Sequence, residues 1–269
     1  MNELLYRPIE SENFPEIPWS KIRENPFDRS PFSNFLNYSS KELPQINPSI
    51  WLLNKIINHN DLYNQFRNQD EWNTIFLTGF FSNSTLFLEK LMLLMHITGG
   101  QPARSFELFS IQYGNSVSTG LRNVFFDQGL ISFVTSYHKG FSTSESTKII
   151  HRFLPIEVGE LFVYYLWLLV PFIQRIYTNF PGQIPFSEYL FRKIGFFKKS
   201  KKTEFNSDDL RRIICRETLI GLKQSINPSQ YRYIAIGITR KFLRKKSYFN
   251  YDQFDLEADF EDEDDIFDL

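Results

Sequence analysis

Cysteine is almost missing from this 269-residue chain, and its scarcity excludes a good deal. Cys215 stands alone, so no intramolecular disulfide framework exists, and four scattered histidines beside one cysteine give no zinc spacing. Neither a metal nor any other cofactor is expected. An apolar leader is lacking at the N-terminus, where MNELLYRPIESENFPEIPW has acids and prolines in place of a secretory signal. No apolar run reaches the roughly 20 residues of a membrane span. The longest, Leu161–Ile173, has 13 residues and contains Pro171, so it reads as a buried helix, and no membrane partner is expected. Internal repeats are absent. What is abundant is apolar and aromatic: 42% hydrophobic and 17% aromatic residues, 29 of them Phe, enough for one large core or two small ones.

Charge is nearly balanced overall, at −1, but unevenly spread. Asp252–Leu269 carries ten acids and no base; without it the chain has 30 bases against 21 acids, a net of +9. Between Arg192 and Lys246 there are 16 bases and 4 acids, a net of +12. Such a stretch is either a solvated lysine face or the footprint of a surface that meets phosphate. The tail FEDEDDIFDL reads as a disordered, solvating segment, with a DNA mimic that covers the basic face as the sharper alternative.

Seven of the 13 prolines fall in the first 50 residues, which predicts an extended arm over 1–48. A helical N-terminal region over 49–84 follows, with helical apolar spacing in Ser49–Phe66. Ser84–His96 is apolar nearly all round and predicts a central helix stopped by Gly99-Gly100. Asn123–Phe126 and Leu130–Tyr137 predict a hairpin around a three-residue loop, Asp127-Gln128-Gly129, with a third strand over Lys148–Phe153. Pro155 opens a helix over Ile156–Leu169, Ser207 is the expected N-cap of a helix to about Lys223, and Ser229 begins another to about Arg244. The fold class expected is mainly α with a small antiparallel sheet (α+β).

Chemistry concentrates where an Arg-x-x-Glu-Leu helix start (Arg104, Glu107, Leu108) precedes a hairpin that ends near Lys139. Guanidinium and ammonium groups on rigid elements can grip a phosphodiester and protonate its leaving oxygen. In this order the blocks GGQPAR, YHKG, IIHRFLP, VGELFVYYLWL and RETLIGL resemble the catalytic half of the tyrosine recombinases, which cut and rejoin DNA through a covalent phosphotyrosine. Their wording looks closest to recombinase-like domains of fungal mobile elements and RecQ-type helicase genes. The resemblance covers residues 85–244 and, with the chain to 250, implies an incomplete catalytic domain of the DNA breaking-rejoining type, followed by the acidic tail 251–269.

The resemblance implies Arg104 and Arg216 as a phosphate clamp, Glu107 as the brace of the first helix start, and Lys139 as the proton donor, with Lys148 as its substitute. Arg212, Lys223, Arg240, Lys241 and Arg244 are the accompanying DNA contacts; Arg212, Arg216 and Lys223 are expected on one face of a helix whose Leu210, Ile213 and Ile214 face inward. His138 and His151 read as packing or phosphate-contact residues. Two departures matter. The family's His-x-x-Arg box has Ile213 where the histidine falls, and Thr239-Arg240 stand where a Gly-His falls. Tyr248 and Tyr251 lie downstream and Tyr231 and Tyr233 nearer, none with the family's surroundings, so the nucleophile segment is expected to lie beyond Leu269 if the gene has one. The expectation is a double-stranded-DNA-binding, recombinase-like nuclear protein of mobile-element origin, self-associating on DNA and inactive alone in strand exchange. The alternative is a non-enzymatic DNA- or protein-docking module associated with a RecQ-type helicase.

Overall fold

The described part of the proline-rich first segment contains a 3-10 turn (Trp19–Lys21), and its apolar side chains are not left in water: Ile17, Ile22, Phe35 and Leu36 are buried in the main core. The computed structural model describes residue 4 and residues 15–38, 47–69, 71–117, 120–137, 148–180, 187–196 and 203–243. A single helical turn, α1 (Phe35–Tyr38), is followed by α2 (Pro48–Asn58) and α3 (Asn60–Phe66), which split the expected helix at His59, an extended residue. A two-stranded ribbon follows, β1 (Arg67–Asn68) and β2 (Glu71–Trp72), closed through Gln69 at φ +54°. It had no signature in the apolar pattern.

The central helix, α4, runs Thr74–Thr98, ten residues longer at its start than the apolar run suggested. Asn73 caps it, its Oδ1 accepting from the Phe76 amide at 3.2 Å. Its end fits the expected glycine pair. Gly100 adopts φ +94°, and a Cβ on Gly99 would stand 2.7 Å from the Met95 carbonyl and 3.1 Å from the Phe133 ring. The short α5 (Ser105–Phe109) leads to a three-stranded antiparallel sheet in the order β3 (Val124–Asp127), β4 (Leu130–Tyr137), β5 (Lys148–Phe153). Asp127 pairs with Leu130, so the hairpin loop is the two residues Gln128 and Gly129, both at positive φ, rather than three. Glu24 of the arm ties down the edge strand, accepting from the Phe126 amide at 3.0 Å and pairing with buried Arg122.

The helix that begins at Ile156 does not stop at Leu169. It continues as α6 (Ile156–Tyr164), a π turn (Tyr165–Leu169) and α7 (Val170–Thr178). Pro171 has no N–H and its ring crowds the preceding turn; the wide π turn just before it relieves that conflict without breaking the helix. By length and composition Ile156–Thr178 is apolar enough to cross a bilayer, but 72% of its most apolar window is buried in the fold. Phe172 packs edge-on against Phe66 and Phe80, with centroids 6.1 and 5.6 Å away, and Phe66 meets Phe76 at 4.8 Å. Each such pair adds about 0.5–1.5 kcal/mol beyond its buried area.

Helix α8 (Ser207–Leu222) is capped by Asn206, one residue before the expected Ser207. Its Oδ1 accepts from the Asp209 amide at 3.0 Å, and Asp209 Oδ2 accepts in return from the Asn206 amide at 3.2 Å. The architecture is thus mixed α+β, helices with two small antiparallel sheets. Met1–Ile226 forms one compact unit and Asn227–Leu269 another. The described part of the second is α9 (Pro228–Ile238), capped by Asn227 and continued by a π turn (Thr239–Leu243). None of the residues of α9 is buried.

Candidate nucleic-acid interface

Arg104 is the N-cap residue of α5, with extended backbone (φ −70°, ψ 156°) and a half-buried side chain. Glu107 braces this helix start, its Oε2 accepting from the Arg104 amide at 3.3 Å. Its carboxylate also faces a cation that sequence reading missed. Arg152 of β5, itself buried, brings Nη2 to 3.6 Å from Glu107 Oε2. Arg152 donates Nε to the Gln101 carbonyl at 3.0 Å and Nη1 to the Thr135 hydroxyl. Burial pulls the Arg152 pKa down while Glu107 supports its charge. This arginine joins the sheet to the turn before α5.

The start of α5 meets the start of α8 through a 2.8 Å hydroxyl–hydroxyl contact between Ser105 and Ser207. Arg216 lies nine residues further along α8, about 13.5 Å by helical rise. Leu210, Ile213 and Ile214 are buried as the apolar pattern requires. Ile213 is fully buried, so a histidine there would put an imidazole into apolar packing rather than at a surface.

The opposite face of α8 is not a plain basic stripe. Glu89, buried on α4, accepts from Arg212 Nη2 at 2.7 Å and from Arg216 Nη1 at 2.8 Å, one arginine on each oxygen. The spacing of four residues stacks the two guanidiniums over one carboxylate. Arg212 Nη2 also reaches Asp209 at 3.2 Å, and Asp209 pairs with Lys193 at 2.8 Å. Arg216 Nε donates to Glu217 at 2.8 Å; Nη2 lies 2.6 Å from the same oxygen but outside hydrogen-bond geometry. Three cations and three carboxylates therefore make a chain of ion pairs. Burial opposes the charge on Asp209, but hydrogen bonds from Lys193, Arg212 and the Asn206 amide outweigh it and hold the carboxyl below its usual pKa. Glu89 raises the pKa of Arg212 directly. For Arg216, burial works downward and is outweighed by Glu89 and Glu217.

Among the described residues, Arg212 uses only Nη2 in these contacts, and its side chain is 49% exposed; Arg216 has every nitrogen against a carboxylate and is 32% exposed. Lys223 does not extend the stripe. It lies past the last helical residue in a left-handed conformation (φ 59°), with Nζ donating to the Ile220 carbonyl at 3.0 Å. Arg240 and Lys241 are exposed on the π turn of the second unit, where Lys241 Nζ is 5.2 Å from the Phe242 ring centroid. Strand β4 ends at Tyr137, two residues before Lys139, and Tyr137 pairs with Lys148. Lys139, His138, Arg244, Tyr248, Tyr251 and the acidic tail lie outside the described residues. His151 is exposed on β5, Tyr233 is exposed on α9, and Tyr231 is half-buried there with its phenol pKa raised by burial.

Glu89 was the residue most open to detection in advance, as a carboxylate in the apolar run STLFLEKLMLLMH. A lone buried acid needs a cationic partner. Among the described residues no group of three or more His, Cys, Asp or Glu has the arrangement to hold a metal ion. No family model matches this chain, and no curated protein or solved structure matches it either.

Proposed function

We propose that this chain is a double-stranded-DNA-binding protein built like the catalytic half of a tyrosine recombinase, of mobile-element origin and not competent alone for strand exchange. The observation that carries the reading is the meeting of α5 and α8 through Ser105 and Ser207, beside the three-stranded sheet. It brings the Arg104 helix start against the helix that bears Arg212 and Arg216, the two elements the motif order pairs. Within that frame the phosphate contact moves from Arg216 to Arg212. A half-exposed guanidinium whose Nε and Nη1 take no part in its ion pairs can give a phosphate the parallel pair of hydrogen bonds that Arg recognition uses. Arg216 must first leave Glu89 or Glu217.

The test is fluorescence anisotropy with a labelled duplex. Affinity is expected to fall steeply between ~50 and ~200 mM salt, since each neutralised phosphate adds about 0.9 to the log–log slope. Arg212→Ala is expected to lower the slope by about one unit, Arg216→Ala by less, and exposed Lys21→Ala not at all. Absence of binding at ~50 mM salt, or salt-independent binding, overturns the proposal. The saturated ion pairing of Arg216 favours a second reading, a non-enzymatic docking module of the kind found beside RecQ-type helicases. That reading gains if duplex binding is absent.

A further inference from the structure

The second unit presents an apolar row that nothing described covers. Ile234, Ile238 and Phe242 follow one another at four-residue spacing along α9 and its π turn, and they are 45%, 52% and 68% exposed. Arg240 and Lys241 stand beside them, and Arg244, Lys245 and Lys246 follow in sequence. A helix of this length is marginal in water by itself, because nucleation is costly and most helical stability comes from packing one face. Its partner must therefore be apolar, and it must be acidic to match the flanking cations.

We infer that this face is the docking site for the chain's own residues 252–269. That segment has ten acids and no base, interleaved with Phe254, Leu256, Phe260, Ile266, Phe267 and Leu269, so it carries both halves of the required chemistry. The connection is short enough and long enough. The eight residues 244–251 reach at most about 27 Å extended, and the helix Pro228–Leu243 is about 24 Å long. A tail tethered this closely is present at an effective concentration in the millimolar range, which a separate acidic partner must exceed. Docking covers the Ile234–Phe242 row and pairs carboxylates with Arg240 and Lys241. The inference does not rest on the DNA reading, because both components are in this chain.

Hydrogen–deuterium exchange of the full chain tests it, with the amides of α4 as internal reference. Protection over residues 232–243 is expected to drop roughly tenfold or more when the tail is neutralised by D262N/E263Q/D264N/D265N with its apolar residues kept. R240E/K241E is expected to cause the same loss, and adding D262K/E263K/D264K to that variant to restore protection. Restoration by the double reversal supports docking of the tail. Protection unaffected by tail neutralisation overturns the inference. So does protection that rises with protein concentration, because the face is then covered by a second copy, and so does an unprotected α9 in the wild-type chain.

Discussion

Replacing Glu89 with glutamine keeps the side-chain volume on α4 and removes the one negative charge shared by Arg212 and Arg216. Two charge-assisted bonds, 2.7 and 2.8 Å long, end on its carboxylate. Fully desolvated, each is worth about 1.5–3 kcal/mol. The carboxylate is buried, but the arginine side chains are 49% and 32% exposed, which screens the pairs toward the surface value of about 0.2–1 kcal/mol each. The glutamine of E89Q still accepts one bond through its carbonyl, while its amide N–H₂ opposes the other guanidinium. The expected cost is therefore about 1–3 kcal/mol, a fall in Tm of about 2–10 °C for a chain of this size. Urea unfolding followed by tryptophan fluorescence measures it. The same change frees guanidinium N–H groups and adds one positive charge, so duplex affinity at ~50 mM salt is expected to rise and the salt slope to steepen by up to about one unit. Wild-type stability in E89Q refutes the packing argument. Lowered stability with an unchanged salt slope refutes the assignment of this face to phosphate.

Arg152→Met strands buried Glu107 and leaves the Gln101 carbonyl and Thr135 hydroxyl without their donor; a loss of about 3–5 kcal/mol is expected by urea unfolding, and less than ~1 kcal/mol contradicts the role given to this arginine. Asp209 has its folded pKa below 3.8, so its stabilisation is complete at neutral pH and drains away as pH falls below about 4, where the unfolded chain takes up the proton first; D209N is expected to flatten that part of the acid-unfolding profile, and an unaltered profile rejects it. Asp28 shares this sign, held at about 2 by hydrogen bonds from Ser33 and Ser30. With a nicked suicide substrate no covalent protein–DNA adduct is expected, because oriented cations without an aligned nucleophile leave the main step undone; an adduct that disappears in Tyr248→Phe or Tyr251→Phe makes the chain a complete recombinase.

Local rules were legible where one physical effect dominated. Lys148–Phe153 is a strand with the bounds the sequence suggests, and Gly99-Gly100 ends α4 where a Cβ at 99 would crowd the Met95 carbonyl and Gly100 takes a positive φ. Elsewhere two effects competed. Asn206 and Ser207 are both capping residues, and the reciprocal bond with Asp209, three residues on, selects Asn206. Pro171 reads as a helix terminator, but burial of Phe172, Ile173 and Ile176 favours continuing the helix through a π turn. The ion pairs were illegible for a simpler reason. Glu89 and Arg212 are 123 residues apart, Glu89 and Arg216 127, and nothing local in either segment specifies the other.

That distance changes what a charge count means. The +12 between Arg192 and Lys246 assigns every cation to solvent or phosphate, yet Lys193, Arg212 and Arg216 each face a carboxylate, and one of those three acids comes from α4, outside the stretch. An ion pair has little field beyond a few ångströms, and at physiological salt the remainder is screened within about 8 Å. Among the described residues, the cations of that stretch are therefore not all open to phosphate: Lys193, Arg212 and Arg216 face carboxylates, while Arg211 and Lys223 in the first unit and Arg240 and Lys241 in the second are exposed. A carboxylate that holds one Nη of Arg212 still stiffens the side chain and reduces the rotamer entropy a phosphate contact would cost. The same carboxylate, shared with Arg216, competes directly with phosphate because Glu217 already occupies the remaining nitrogens there. On the proposed reading, one buried acid would thus preorganise its first arginine for phosphate and block its second.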